Sequence, residues 1–480
     1  MGIQVDSDLR AIGSALSLDE APAEQPASSP AHAEPTFLEQ VSGALSHWAR
    51  RPGPLAPFPD PPPGAAGRAV NQLNTDRALG ELQEAQQEMV EANGSGNFRR
   101  IDEALTSLME AQDNFEKAVK AEGADSVLAR HPNDPATKTA VSAAELSTAQ
   151  DKLAEVEAKI PNLKDIPAQE EGSRIQPPEL YRELVDARRD VGIKTDALER
   201  DVNAQVLSMR DQGMSREDAL NQLRAHGYSH VMGGPSDKLE NGKMPNTIGM
   251  TDAERADVYV PNFERNASPE ARDAFNRGEP VIMAIRHDTP LQANNERGVY
   301  DDRYVVLQKG PDGSVSAKEF DGSQDPNTQY GDGMRDRHGL PPNKDTGEVG
   351  PYAERNPGYG PGKGGYAPPS VDAYSRVADG TIKMQTGPKA DHLYPENGDY
   401  MIEGDINGDG MFNDGYTRKA GNNGFQLHAG KEDYSHTGSG GCLTLPPHQW
   451  GAFKDAIGVF NEGSTGSIYY VQVGEGKMQY

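Results

Sequence analysis

Three stretches in the first half of the chain carry one hydrophobic spacing. Leu82-x2-Ala85-Gln86-x2-Met89, Leu108-x2-Ala111-Gln112-x2-Phe115 and Leu146-x2-Ala149-Gln150-x2-Leu153 repeat the same short pattern. Positions i, i+3 and i+7 fall on one face of an α-helix. The spacing therefore predicts three amphipathic helices packed on one another as a bundle or coiled-coil hairpin. "NGSG" breaks the first from the second. A further helical stretch runs through "PPELYRELVDARRDVGIKTDALERDVNAQVLSMRDQ". "SREDALNQLRAHG" follows, with Ser215 as N-cap and Glu217 in the first turn.

After about residue 229 the period changes. "PVIMAIRHDT" and "RYVVLQKGPDGSVSAKEF" predict strands, the second a hairpin turning at Asp312-Gly313. Short strands are expected again at "GDYMIEG", "FQLHAG" and "SIYYVQVG", and one helix near "PHQWGAFKDAIGVFNE". Between the two sets lies a long Gly- and Pro-rich segment, "GDGMRDRHGLPPNKDTGEVGPYAERNPGYGPGKGGYAPP". Loops of that length are functional or disordered. Residues 1–68, rich in Ala, Pro and Ser, predict a disordered leader with one short helix near "PTFLEQVSGALSHWAR". The fold class expected is thus multidomain. A leader (1–68) precedes an all-α region (69–228, helical bundle or hairpin). A connecting segment (229–275) leads to a mostly-β α+β domain (276–480).

Composition narrows the partners. The chain has 74 acidic and 47 basic side chains in 480 residues, for a formal charge of -27. That balance argues against nucleic acid and anionic membrane surfaces. The longest apolar runs, such as "VIMAI" and "YVVL", are far short of the roughly 20 residues of a membrane helix, so no membrane span is expected. The opening "MGIQVDSDLRAIGSALSLDEAPAEQP" lacks the basic and apolar regions of a Sec-type signal. Gly2 does not predict myristoylation, because Asp6 stands where Ser or Thr is wanted.

Cys442 is the sole cysteine. It cannot form an internal disulfide, so it is a small buried apolar residue, a metal ligand or a nucleophile. A nucleophilic thiol needs a base, and histidine is the usual one. His428 ends the expected strand "FQLH", and Cys442 follows the glycine-bearing turn "TGSGG". A strand end and a tight turn bring distant residues together. Glycines there also let backbone amides approach a carbonyl, which makes the Gly441 and Cys442 amides candidates for an oxyanion hole. A zinc set of His428, Asp433, His436 and Cys442 fits by residue type, but its spacing follows no recognised ligand pattern.

His428, Ser439, Gly441, Cys442 and the apolar Leu443 resemble the signature of the L,D-transpeptidase catalytic domain (YkuD-like) family: a strand-end His, a variable loop, then Ser-His-Gly-Cys and an apolar residue. "YPENGDYMI", through Pro395, Gly398 and Tyr400, is similar to the family's Pro-x-Gly-x-Tyr segment with one residue more, and the 303–320 hairpin is similar to its opening strand pair. Gly440 stands where the family has a second His, and Thr444 where it has Arg or Asn. The "HAG…GC" form is closer to divergent relatives, including exported bacterial L,D-transpeptidase-like toxins. The resemblance covers roughly 300–480 and is specific over some twenty residues. It implies an L,D-transpeptidase-like fold and acyl transfer on peptidoglycan stem peptides. Cys442 would be the nucleophile and His428 the base, oriented by Ser439 or a backbone carbonyl. Gly441 would lie at the oxyanion site, and Gly440, His436, Thr444 and Tyr400 would line the substrate cleft.

"GDINGDGMFNDG" is a second signal. Asp405, Asn407, Asp409 and Gly410 fit D-x-[DN]-x-[DN]-G, the calcium-loop spacing. Position twelve is Tyr416 rather than Glu, and Asp414 would substitute from a shorter loop. The alternative is a glycine-rich turn between strands. Calcium here would brace the loop and do no chemistry; no other cofactor is needed.

A wall-acting signature without a Sec signal predicts an effector secreted by another route, acting in the periplasm or cell wall of a target cell. An immunity protein or a secretion chaperone would be a partner. Two alternatives stay open: a Cys-His peptidase or acyltransferase acting on host proteins, and a non-catalytic interaction protein.

Overall fold

A computed structural model describes residues 65–166, 168, 171–232, 238–291, 294, 297–326, 375–387, 391–404, 411–413, 415, 417–420, 425–439, 441–460 and 466–480. The leader through residue 64, most of the long Gly/Pro segment, and the calcium-loop residues Asp405, Asn407, Asp409 and Asp414 lie outside that set, as does Gly440. The chain divides into two compact units. One joins Met1–Ala154 to Asp190–Asp237; the other joins Glu155–Arg189 to Lys238–Tyr480.

The first unit is helical. It contains α1 (Ala65–Ser95), α2 (Phe98–Glu122), α3 (Ala124–Arg130), most of α4 (Pro135–Ala158), the later part of α5 (Pro178–Asp211) and α6 (Arg216–Leu223). "NGSG" ends α1, and the Asn97 side chain caps α2 by accepting from the Arg99 and Arg100 amides. The repeated pattern is the buried face. Leu82, Ala85 and Met89, then Leu108, Ala111 and Phe115, lie in one apolar cluster, and Leu146, Ala149 and Leu153 are buried as well. Each large side chain so buried contributes about 1.5–3 kcal/mol. Two of the three repeated glutamines have a use that periodicity did not reveal. Gln86 Nε2 donates to the Tyr228 hydroxyl (3.2 Å), and Gln112 Nε2 donates to the His226 carbonyl (3.2 Å). They tie the α1–α2 hairpin to the turn after α6.

The second unit is sheet-rich. The segment expected to be a mere connection, 229–275, holds α7 (Asp252–Asn266) and α8 (Pro269–Asn276). Thr251 and Glu254 form a capping box for α7, and Ser268 caps α8 ahead of Pro269. The strands are β1 (Val281–Arg286), β2 (Asp302–Lys309), β3 (Val315–Gly322), β4 (Ser375–Val377), β5 (Gly380–Thr386), β6 (Leu393–Pro395), β7 (Met401–Gly404), β8 (Thr417–Lys419), β9 (Leu427–Ala429), β10 (Leu443–Leu445) and β11 (Ser467–Gly474), with α9 (Trp450–Ile457) before the last. They form an eight-stranded sheet, β10-β9-β6-β5-β11-β1-β2-β3, and a three-stranded sheet, β4-β7-β8. The pairs β1/β11 and β9/β10 are parallel; the other pairs are antiparallel.

The large sheet closes on itself. Ser323, one residue past β3, bridges to Thr444 on β10, each amide donating to the other's carbonyl at 2.8 Å. The carboxylate of Asp302 steadies that closure, accepting from the Gln324 amide (2.6 Å) and the His287 amide (2.8 Å). Every residue of β1 is buried, because both faces are covered. Ile282 and Ala284 join an inner cluster with Tyr304, Leu427, Leu443, Leu445, Trp450 and Phe453. Val281, Met283 and Ile285 pack with Tyr259, Phe263 and Phe275 of α7 and α8.

The helical unit carries an acid sensitivity. His226 is 6% exposed, and burial pushes its imidazole down to about 4. Above about pH 6.5 neither folded nor unfolded His226 is charged. Below that the unfolded chain takes the proton first, so stability falls between pH 6.5 and 4, by up to about 3 kcal/mol. Urea unfolding followed through the helical signal is expected to show this loss, and His226→Gln is expected to flatten it; an unchanged pH slope in the variant would contradict the assignment.

Candidate active site

β9 carries His428, and its neighbour β10 begins directly after Cys442. They run parallel and in register, with Leu443 beside Leu427 and Thr444 beside His428. Successive strand residues point to opposite faces. Leu427, Leu443 and Leu445 face the inner cluster, so His428 and Thr444 face the other way. Cys442 stands one residue before β10, where the pairing still holds: the Leu443 amide donates to the Gln426 carbonyl at 2.8 Å. The same alternation puts Cys442 on the face of His428. Cys442 thus lies diagonally across the ladder from His428. Cys442 is half-buried and in no disulfide. The Tyr400 phenol near it is pushed up to about 12, chiefly by burial, against the lowering hydrogen bond from the Phe425 backbone.

The tautomer of His428 follows from its partner. Nδ1 lies 2.5 Å from the Ala429 carbonyl oxygen. A carbonyl only accepts, so Nδ1 carries the proton and a neutral ring leaves Nε2 as the acceptor. His392, on the residue before β6, stacks on the same ring with centroids 4.8 Å apart. Of the two orienters expected for His428, the backbone carbonyl is the one in place. Ser439 does another job. Its hydroxyl donates to the Cys442 carbonyl (2.6 Å) and accepts from the Gly441 amide (3.1 Å). It closes the turn before the thiol.

That bond bears on the expected oxyanion hole: the Gly441 amide already donates to Ser439 Oγ. Gly441 is needed for shape. Its φ is +107°, and a Cβ there would sit 2.3 Å from Phe425 Cε1 and 2.5 Å from the Ser375 carbonyl oxygen. Three expected cleft residues are interior. Thr444 is fully buried, its hydroxyl 3.5 Å from the Ser323 carbonyl. His436 is 4% exposed, with Nδ1 accepting from the Gly438 amide (2.9 Å), and burial pushes its imidazole down to about 4. Tyr400 is also buried, in the inner cluster. Among the described residues no group of three or more His, Cys, Asp or Glu is arranged to hold a metal ion, so the zinc set does not assemble. Asp433 instead accepts from the Tyr181 hydroxyl (2.7 Å) and from the Ser435 amide and hydroxyl.

Sequence reasoning passed over His392, Tyr181 and Arg297. His392 stands two residues before Tyr394 and the "YPENGDY" segment, and an imidazole just ahead of a strand is the signal it carries. Tyr181 and Arg297 carry no local pattern. Arg297 is buried, with Nη1 2.6 Å from Glu171 Oε1 and 3.0 Å from the Ser435 carbonyl.

No family model, no curated protein and no solved structure matches this chain.

The Gly441 contacts give a sharp expectation. Gly441→Ala must displace Phe425 or the backbone at Ser375, and overpacking of that kind costs about 1–3 kcal/mol, with left-handed backbone strain added. Thermal unfolding is expected to shift down by several degrees, and alkylation of Cys442 to change with it. A variant with the wild-type melting curve and wild-type thiol reactivity would show that the turn has more room than these distances allow.

Proposed function

We propose that this protein is an exported bacterial enzyme that modifies cell wall by cysteine-dependent acyl transfer, in the manner of L,D-transpeptidases and L,D-carboxypeptidases. The observation that carries the reading is the commitment of His428 Nδ1 to a backbone carbonyl on the strand beside Cys442. It supplies a base of fixed tautomer on the same face as the only thiol. The resemblance of His428, Ser439, Gly441 and Cys442 to the family signature supplies the substrate class.

The chemistry balances simply. Cys442 gives its proton to His428 Nε2. The thiolate attacks the carbonyl of the L-centre in an L,D peptide bond of a stem peptide. The amine of the departing D-residue takes the proton from His428, and a thioester to Cys442 remains. Water then releases a trimmed peptide, or a second amine takes the acyl group. His428 serves as base and then acid in each half.

Several finer expectations belong to the same proposal. The sheet-rich unit has an L,D-transpeptidase-like fold. The protein acts in the periplasm or wall of a target cell, with an immunity protein or a secretion chaperone as its partner in the producer. Calcium at Asp405, Asn407, Asp409 and Asp414 rests on their spacing in the sequence alone.

Purified protein is expected to trim or exchange the terminal D-Ala of tetrapeptide muropeptides, read by mass spectrometry. Cys442→Ala should abolish this, and His428→Gln should slow it by at least 10²-fold. A carbapenem is expected to leave an adduct on Cys442. Unchanged muropeptides in the presence of folded wild-type protein, with no adduct, would overturn the reading in favour of a Cys-His enzyme with protein substrates. Full biological activity of Cys442→Ala would point to a non-catalytic interaction protein.

A further inference from the structure

The loop from Gly430 to Gly441 joins the two halves of the site. It runs "GKEDYSHTGSGG", four glycines in twelve residues. A chain so rich in glycine loses much conformational freedom on ordering, so holding Cys442 at one place beside His428 requires ties from elsewhere. The ties are specific. Arg297 brackets His436: its Nη1 donates to the Ser435 carbonyl (3.0 Å), and its own carbonyl accepts from the Thr437 amide (2.9 Å). The guanidinium is fixed in turn by Glu171 Oε1 (2.6 Å) and by the Ile166 carbonyl, to which Nη2 donates at 3.0 Å. Glu171 is fully buried, and its carboxylate also takes Arg188, with Nη1 2.8 Å from Oε2. A second tie reaches the loop nearer His428: the Tyr181 hydroxyl donates to Asp433 Oδ2 at 2.7 Å. Asp433 then holds the Ser435 amide and hydroxyl through Oδ1.

Glu171, Tyr181 and Arg188 come from Glu155–Arg189, a stretch that the hydrophobic pattern assigns to the helical region but that belongs to the sheet-rich unit. We propose that this stretch is a positioning clamp for the candidate nucleophile, acting through Glu171–Arg297 on Ser435 and Thr437 and through Tyr181 on Asp433. The inference rests on the proposed role of Cys442 and deepens it: Tyr181 and Arg297 are positioning residues that keep the thiol aligned with His428. The sheet-rich segment from residue 276 onward would then lack half of what aligns its own site.

Because Cys442 is the only thiol, its reactivity can be read in the full chain without interference. The experiment is the rate of alkylation by iodoacetamide as a function of pH, beside the melting temperature, in wild type, Tyr181→Phe and Arg297→Lys. Tyr181→Phe keeps the ring and removes only the donor to Asp433. The wild-type thiolate is expected to form below the pH of about 8.5 at which an ordinary cysteine titrates. Tyr181→Phe should raise that midpoint by about one unit, which lowers the rate near neutral pH about tenfold, while melting changes by no more than a few degrees. Arg297→Lys loses the planar fork that reaches Glu171, Ser435 and Ile166 together, and is expected to raise the midpoint as well. An activated wild-type thiol whose pH profile is the same in Tyr181→Phe overturns the clamp and leaves the nucleophile standing. So does a loss of rate that tracks melting equally at every pH, since that marks a structural role only. A wild-type thiol with an ordinary midpoint overturns both the nucleophile and its clamp.

Discussion

The parallel pairing of β9 with β10 is the contact on which the site depends. Three-residue strands have little stability alone, and a parallel ladder is slightly weaker per residue than an antiparallel one. Two things hold this one. Leu427, Leu443 and Leu445 bury into the inner cluster on one face. On the far side of β10, Ser323 exchanges both backbone hydrogen bonds with Thr444 and closes the sheet. β10 therefore has a neighbour on each side, and register is doubly set. A slip of one residue would turn the leucines out and His428 in, so the same burial that stabilises the strands fixes the direction of the imidazole.

Buried ions perform a different task. Glu171 sits wholly out of water between Arg188 and Arg297. Desolvating such groups is expensive, and a buried ion pair by itself argues little for stability. What this one provides is placement. A guanidinium offers five donors in a rigid plane, and Arg297 uses them on a carboxylate and on carbonyls from two separate stretches of chain. An apolar replacement of the same volume would fill the space but would leave the Ser435 and Ile166 carbonyls without that donor. The geometry of the loop, rather than the depth of the core, is what the charge secures.

Some of this was legible in the sequence. The Leu-x2-Ala-Gln repeat marked its helices because burial on a helical face leaves a period, and the β2–β3 hairpin was marked by its Asp-Gly turn and alternating strands. β9, β11 and α9 were found for similar reasons. β4, β6, β8 and β10 do not stand out, since three residues alone display little alternation, and the longer β5 (Gly380–Thr386) is missed as well. α7 and α8 were read as a connection although their caps, Thr251 with Glu254 and Ser268 with Pro269, are sequence signals. Residues 155–189 looked like more of the helical region, because helical period says that a helix forms and not which core it joins. Cys442 and His428 stood out by chemistry. Thr444 is expected at a cleft by its place in the signature and His436 by its place in the polar loop between His428 and Cys442; pairing across the sheet puts the first inside, and the bracket of Arg297 around the loop puts the second there. Arg297 itself had no local signal, since its partners lie more than a hundred residues away.

The choice of a main-chain carbonyl to orient His428 has a consequence for how the site could evolve or fail. In a triad closed by a carboxylate, the third member is a side chain and is deleted by one substitution. Here the acceptor is the Ala429 carbonyl, present whatever side chain follows His428. Its direction is set by the strand, through the pairing that also places Cys442. Orientation of His428 and placement of Cys442 are then two effects of one backbone geometry. Damage to the closure at Ser323, or to the leucines beneath, would disturb both at once, whereas no single side chain around the imidazole carries the whole of its alignment. The candidate chemistry is thereby coupled to the integrity of the sheet more tightly than to any one neighbour.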